Sequence, residues 1–268
     1  MKNFRILTVA AVALMMVLSA GISAQEQNAE ELMKQAHLNM YYAGDDGITE
    51  VTMKIVNSKG KERLREFAML RMDLADGGRQ NYYTYFKQPH DVSRLTFMVH
   101  KMPQETDNRW LYVPAVDLVK RISADDKNSS FVGSDFTYED VSGRHWTEDN
   151  HKLLGEDTYN DRAVYKVESV PKEEYKGFAR KITFIDKEYM LPVREEYYDK
   201  KGELERVFTA EKIEVVDGIP TPTLRKIENV KKGQYTTVEF TNIDYNVGVK
   251  EDIFTERYLK NPPREFIK

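Results

Sequence analysis

From Glu50 onward the chain alternates with period two, and that alternation restricts the fold more than any other feature. In "EVTMKIVN", Val51, Met53 and Ile55 alternate with Thr52 and Lys54. Successive side chains of a strand point to opposite faces, so this spacing makes a half-buried strand. "SKGK" follows as a turn, and "ERLREFAMLRMDL" returns with Phe67 and Met69 on one face. Asp76–Gly78 is a second turn, and "NYYTYFKQ", "RLTFMVHK", "NRWLYVPA" and "LVKRIS" continue the series. Beyond residue 150 the pattern resumes, with turns near Asp186–Tyr189, Lys200–Gly202 and Asp217–Pro220 and a closing hairpin about "KKG". Strands separated by turn signals every dozen residues predict an antiparallel meander.

Only one segment has a clear helical period. In "QNAEELMKQAHLNMYYAG", Ala29, Leu32, Met33, Ala36 and Met40 share a face, and Gly44 is the expected stop. Some strands are polar on one face, while "LTFMV" is apolar on both. A long curved sheet, covered on one side by this helix and by the 115–145 segment, accounts for both types. The predicted fold is therefore mainly β, with some α: a strongly curved sheet or incomplete antiparallel barrel whose helices cover an apolar space.

The first residues read as a secretory signal. Lys2 and Arg5 precede an apolar run, Ile6 to Leu18, and then the small residues of "SAGISA". The run is shorter than the roughly 20 residues that span a bilayer. Cleavage is expected after Ala24, with Ala20 the second choice. That leaves residues 25–268 as a single domain of a periplasmic protein. The chain has no cysteine, hence neither disulfides nor the acylated cysteine of a bacterial lipoprotein. The net charge of -4 becomes more negative without Lys2 and Arg5, which argues against a nucleic-acid partner.

The stretch "FVGSDFTYEDVSGRH", Phe131 to His145, gathers a serine, three carboxylates and a histidine. Ser134 does not stand in a G-x-S-x-G elbow, and Ser134 or Asp135 is the natural cap for a short helix that follows. Asp135, Glu139 and Asp140 supply enough carboxylates for glycoside chemistry, which also needs a fixed separation across a cleft. His145 and His151 flank "WTEDN", which is not a metal-ligand spacing, and His37, His90 and His100 are isolated. Neither a metal nor a cofactor is expected, and no enzymatic activity.

The chain is rich in 16 Tyr, 12 Phe and 11 Met, and that richness has two readings: packed core, or the lining of an apolar cavity, to which methionine adapts well. Strand alternation nominates Tyr83, Tyr85, Phe97, Trp110, Tyr112, Phe131, Phe136 and Tyr138 as cavity-lining aromatics.

The block "NRWLYVPAVDLVKRISADDKNSSFVGSDFTYEDV", Asn108 to Val141, resembles the outer-membrane lipoprotein-sorting, LolA-like family in its W-x-Y-x-P strand, "KRIS" segment and "GSDF-x-YED" order. "FIDKEYMLPVREEYYDKKGEL" and "GIPTPTLRKIENVKKGQYTTVEFTNIDYN" extend the likeness over most of the chain. The resemblance implies a lid over an apolar cavity and a periplasmic carrier of lipid or acylated lipoprotein. It implies a donor complex at the inner membrane and an acceptor at the outer membrane. It also makes Gly133, Ser134, Asp135, Glu139 and Asp140 landmarks that anchor the lid. Two alternatives stay open: an accessory protein of an RND- or MMPL-type exporter, and an exported hydrolase using Asp135 and Glu139.

Overall fold

The computed structural model describes residues 28–103 and 105–267; the signal-peptide assignment lies outside them. Helix α1 spans residues 28–41. It ends at Tyr41, short of Gly44, which takes a positive φ of 69° in the link to the first strand.

Six strands follow: β1 Asp46–Val56, β2 Glu62–Asp73, β3 Gln80–Gln88, β4 Thr96–Lys101, β5 Asn108–Val113 and β6 Leu118–Ile122. A covering segment, residues 123–148, holds helix α2, Tyr138–Ser142. Seven more strands come next: β7 Asp149–Tyr159, β8 Arg162–Pro171, β9 Arg180–Asp186, β10 Pro192–Tyr198, β11 Leu204–Val216, β12 Ile219–Asn229 and β13 Gln234–Tyr245. Helix α3 is Glu256–Lys260.

Among the described residues these strands form one 13-stranded sheet in the order β6-β5-β4-β3-β2-β1-β13-β12-β11-β10-β9-β8-β7. Each pair is antiparallel and every link but one is a hairpin neighbour. The exception is β1 against β13, with Val51 opposite Phe240 and Met53 opposite Val238. The sheet is not closed: β6 and β7 are its two edges. Residues 123–148 therefore run from one edge to the other, and that path carries them across the concave face.

Alternation sorts the side chains. On the concave side Val51, Met53, Phe67, Tyr82, Phe86, Phe97 and Val99 pack with Phe131 and Tyr138 of the covering segment. On the other side Leu70, Tyr83, Met98, Trp110 and Tyr112 pack under the C-terminal segment, chiefly Ile253, Phe254 and Leu259. Helix α1 sets Ala29, Leu32, Met33 and Ala36 against Val167 of β8 and Ile185 of β9. The middle of the sheet is thus buried on both faces, which is why "LTFMV" is apolar throughout.

Candidate functional site: a covered apolar cavity

The covering segment begins with a tight reversal. Ser130 and Thr137 form an isolated bridge, and Phe131 N donates to Phe136 O at 2.7 Å. Gly133 sits at φ 78°, a left-handed conformation open to glycine, and its carbonyl accepts from Arg63 Nη2 at 3.0 Å. Ser134 Oγ donates to Phe131 O at 2.7 Å. The carboxylate of Asp135 accepts from Gln234 Nε2 at 2.6 Å and Thr236 Oγ1 at 2.8 Å, both on β13.

Helix α2 starts differently from the sequence expectation. Its cap is Thr137, not Ser134 or Asp135: Thr137 Oγ1 accepts from Asp140 N and the Asp140 carboxylate accepts from Thr137 N, a capping box. Asp135 is committed to β13 and Ser134 to the reversal, so the cap moves to the next residue able to serve. Asp140 also pairs with Arg206 of β11 at 2.5 Å. Glu139 meets Lys127 at 2.7 Å and accepts from the Tyr175 hydroxyl. Burial alone would raise the Glu139 carboxyl, but Lys127, Tyr175 and Arg144 hold it below the usual range. The His145 ring bonds to Thr147 Oγ1 and Gly77 O, away from Ser134.

At the end of α2, Lys101 Nζ of β4 donates to Ser142 O at 2.6 Å and Gly143 O at 2.9 Å, and lies 3.4 Å from His37 Nε2 on α1. Burial pulls the Lys101 ammonium down to about 8, holds His37 well below its ordinary value, and with Lys101 takes His145 to about 4. Helix α1 is fastened from the sheet as well. Arg71 of β2 donates to Tyr41 O at 2.8 Å, Gly44 O at 2.8 Å and Ala43 O, while pairing with Asp73. Burial raises Asp73 to about 6, against the pull of Arg71 and Gln80.

Beneath this cover lies a cavity of about 150 Å³. Its floor is the concave face of β1–β3, β12 and β13, with Met53, Phe67, Met69, Val238 and Phe240; its roof is Met40, Phe131, Phe136 and Val141. A second, more polar cleft of about 80 Å³ continues toward β9–β12, past Glu139, Lys181, Glu195 and Arg206. Met40, Tyr41, Phe136, Asp140 and Arg225 line both.

Of the eight nominated aromatics, Phe131 and Phe136 line the cavity. Phe97 and Tyr138 are packed behind Phe131, at ring distances of 5.4 and 5.7 Å. Tyr83, Tyr85, Trp110 and Tyr112 are a correction: they lie on the opposite face, against the C-terminal segment. Alternation separates two faces but does not say which one turns inward. The missed lining is largely aliphatic and sulfur-bearing, Met53, Met69 and Val238, and their phase with Phe67 was its only sequence trace.

An open antiparallel sheet with a fastened lid over an apolar cavity is the class that fold and site define. A family model described as "uncharacterized protein" matches residues 78–261. A DUF1329 family protein from Desulfovibrio piger is 28% identical and superposes with a TM-score of 0.82, covering 88% of this chain and 99% of that one. A structure described as an outer membrane lipoprotein-sorting protein domain, from Vibrio parahaemolyticus, is 25% identical at TM-score 0.81, with the same coverage of 88% and 99%. A LolA superfamily protein from Nitrosomonas europaea, 17% identical over 86% of this chain and 98% of its own, shares the fold at TM-score 0.68. No curated protein matches. The chain belongs to the matched family, and its fold is similar to those of solved DUF1329 and outer-membrane lipoprotein-sorting structures.

Proposed function

We propose that the chain is a periplasmic carrier that shields the acyl chains of a lipid or lipoprotein while they cross between the inner and outer membranes. The observation that carries this is the apolar cavity under a cover fastened by polar contacts as well as by the buried rings of Phe131 and Tyr138. Each CH₂ moved out of water is worth about 0.8 kcal/mol, so a long acyl chain resists crossing an aqueous space by more than 10 kcal/mol. A soluble shuttle must replace that apolar surroundings, and needs neither nucleophile nor metal to do it.

The volume makes a further point. An apolar cavity of about 150 Å³ takes a benzene-sized guest. A full acyl chain therefore requires α1 and the 123–148 segment to lift from the sheet. Their fastenings suit that motion. Polar contacts exchanged for water cost about 1.5–3 kcal/mol each where one partner is charged, and they re-form on closing.

The hydrolase alternative has less support, since Ser134, Asp135, Glu139 and Asp140 each have a structural partner. The donor and acceptor at the two membranes, and the residues 25–268 acting as one domain, belong to the same proposal. Native mass spectrometry with lipid extraction, on gently purified protein, tests it. A stoichiometric co-purifying lipid is expected. Protein that is empty and also binds no neutral apolar fluorophore would sink the reading.

A further inference from the structure

Arg225 stands out among the cations around the two cavities. Arg71 has Asp73, Lys181 has Glu195, Arg206 has Asp140, and Arg144 has Glu148 and Asp149. Arg225 has no carboxylate within ion-pair distance among the described residues. Its Nε donates to Pro222 O at 3.0 Å, and its guanidinium lies 4.4 Å over the Phe240 ring. Its two terminal nitrogens have no acceptor among the described residues. Yet the residue is half-buried, and burial lowers its pKa from the ordinary value. Arginine nonetheless stays charged.

Position gives this charge a meaning. Arg225 lines both the apolar cavity and the polar cleft, so it marks the boundary between them. Asp140 shares that boundary, but Arg206 and the Thr137 amide already occupy it. A half-buried cation without a counter-charge favours a guest that supplies one, and the planar guanidinium fork matches a carboxylate or phosphate. A guest with its tail over Met53, Phe67 and Val238 would bring its head to this point.

We propose that the cavity selects an anionic amphiphile, a single acid headgroup on an acyl tail, with the free guanidinium of Arg225 as its counter-charge. This deepens the carrier reading and rests on it.

The test uses displacement of the neutral fluorophore N-phenylnaphthylamine from the purified protein, with dodecyl phosphate and dodecanol as competitors of equal tail. Dodecyl phosphate is expected to displace the fluorophore at least about tenfold more effectively, the equivalent of about 1.4 kcal/mol. Arg225→Met should bring the two competitors to near equality. Arg225→Lys keeps the charge but not the fork, so the preference should fall several-fold and persist. That variant decides the matter should Arg225→Met fail to fold.

Equal competition in the wild type, or a preference unchanged in Arg225→Met or Arg225→Lys, overturns the assignment. Inorganic phosphate in large excess should leave the preference intact. If it abolishes it, the site is one for a free anion, and the amphiphile is refuted. Should the fluorophore never bind protein that also carries no lipid, the carrier reading falls too, which separates that failure from the failure of the headgroup alone.

Discussion

Asp135 and His145 belong to the same quoted stretch, yet their environments give them different tasks. Asp135 is the acceptor for two side chains of β13, and both donors lose their partner if it is shortened. Asp135→Ala should therefore cost roughly 1–3 kcal/mol in urea denaturation. Ser134→Ala should cost less, about 1 kcal/mol, because the Phe131 carbonyl keeps the amide of Ser134. His145 is held neutral by burial beside Lys101, with its pKa lowered to about 4. The unfolded chain then binds a proton that the folded one refuses, from pH about 6.5 down to about 4. Stability contributed by this group is present above that window and is lost as pH falls through it. Asp73, raised to about 6, works the other way over part of the range, so the variant isolates the histidine. His145→Asn, which can still cap the following turn, should flatten the fall in Tm between pH 6.5 and 4. An unchanged slope would show that His145 is not the group that titrates.

The covering segment is an element whose shape follows from where it must go. β6 and β7 are opposite edges of the sheet, so the chain between them can only cross the open side or go around. Phe131 and Tyr138 choose the inside, by burying their rings against Phe97. The segment also presses on α1: a Cβ added at Gly143 would stand 2.5 Å from the Tyr41 ring, at a φ of 73° that disfavours side chains. Gly143→Ala should therefore force α1 and the segment apart. We expect faster hydrogen exchange in residues 138–145 and in the last turn of α1, with strand amides unchanged. Arg206→Gln removes the partner of Asp140 and should loosen the same residues from the other side. Global protection lost equally across β1–β3 would mean that the segment is part of the folding core, not a separable cover.

At the scale of the whole molecule, a guest that binds the folded chain alone must stabilise it. A ligand at a hundred times its Kd adds about 2.7 kcal/mol. Dodecyl phosphate should raise Tm measurably, and Met53→Asp, which sets a charge on the cavity floor, should abolish that rise. A rise that persists in Met53→Asp would place the ligand elsewhere.

The antiparallel meander and the early helix were legible in sequence because each is a local pattern. Period two in Val51, Met53 and Ile55, period 3.6 in Leu32, Met33 and Ala36, and turn residues between them depend on near neighbours only. The closing pair, β1 against β13, was not legible, since its partners lie nearly two hundred residues apart and no local signal records them. That single non-local pairing brings the two meanders into one sheet and decides which face of each strand is concave. Hence alternation grouped Tyr83 and Tyr85 correctly with each other, but only the tertiary structure shows that they point away from the cavity. The same holds for Arg225. Its sequence neighbours mark it as an ordinary strand arginine, and only the assembled walls leave it at an apolar boundary with no carboxylate partner among the described residues.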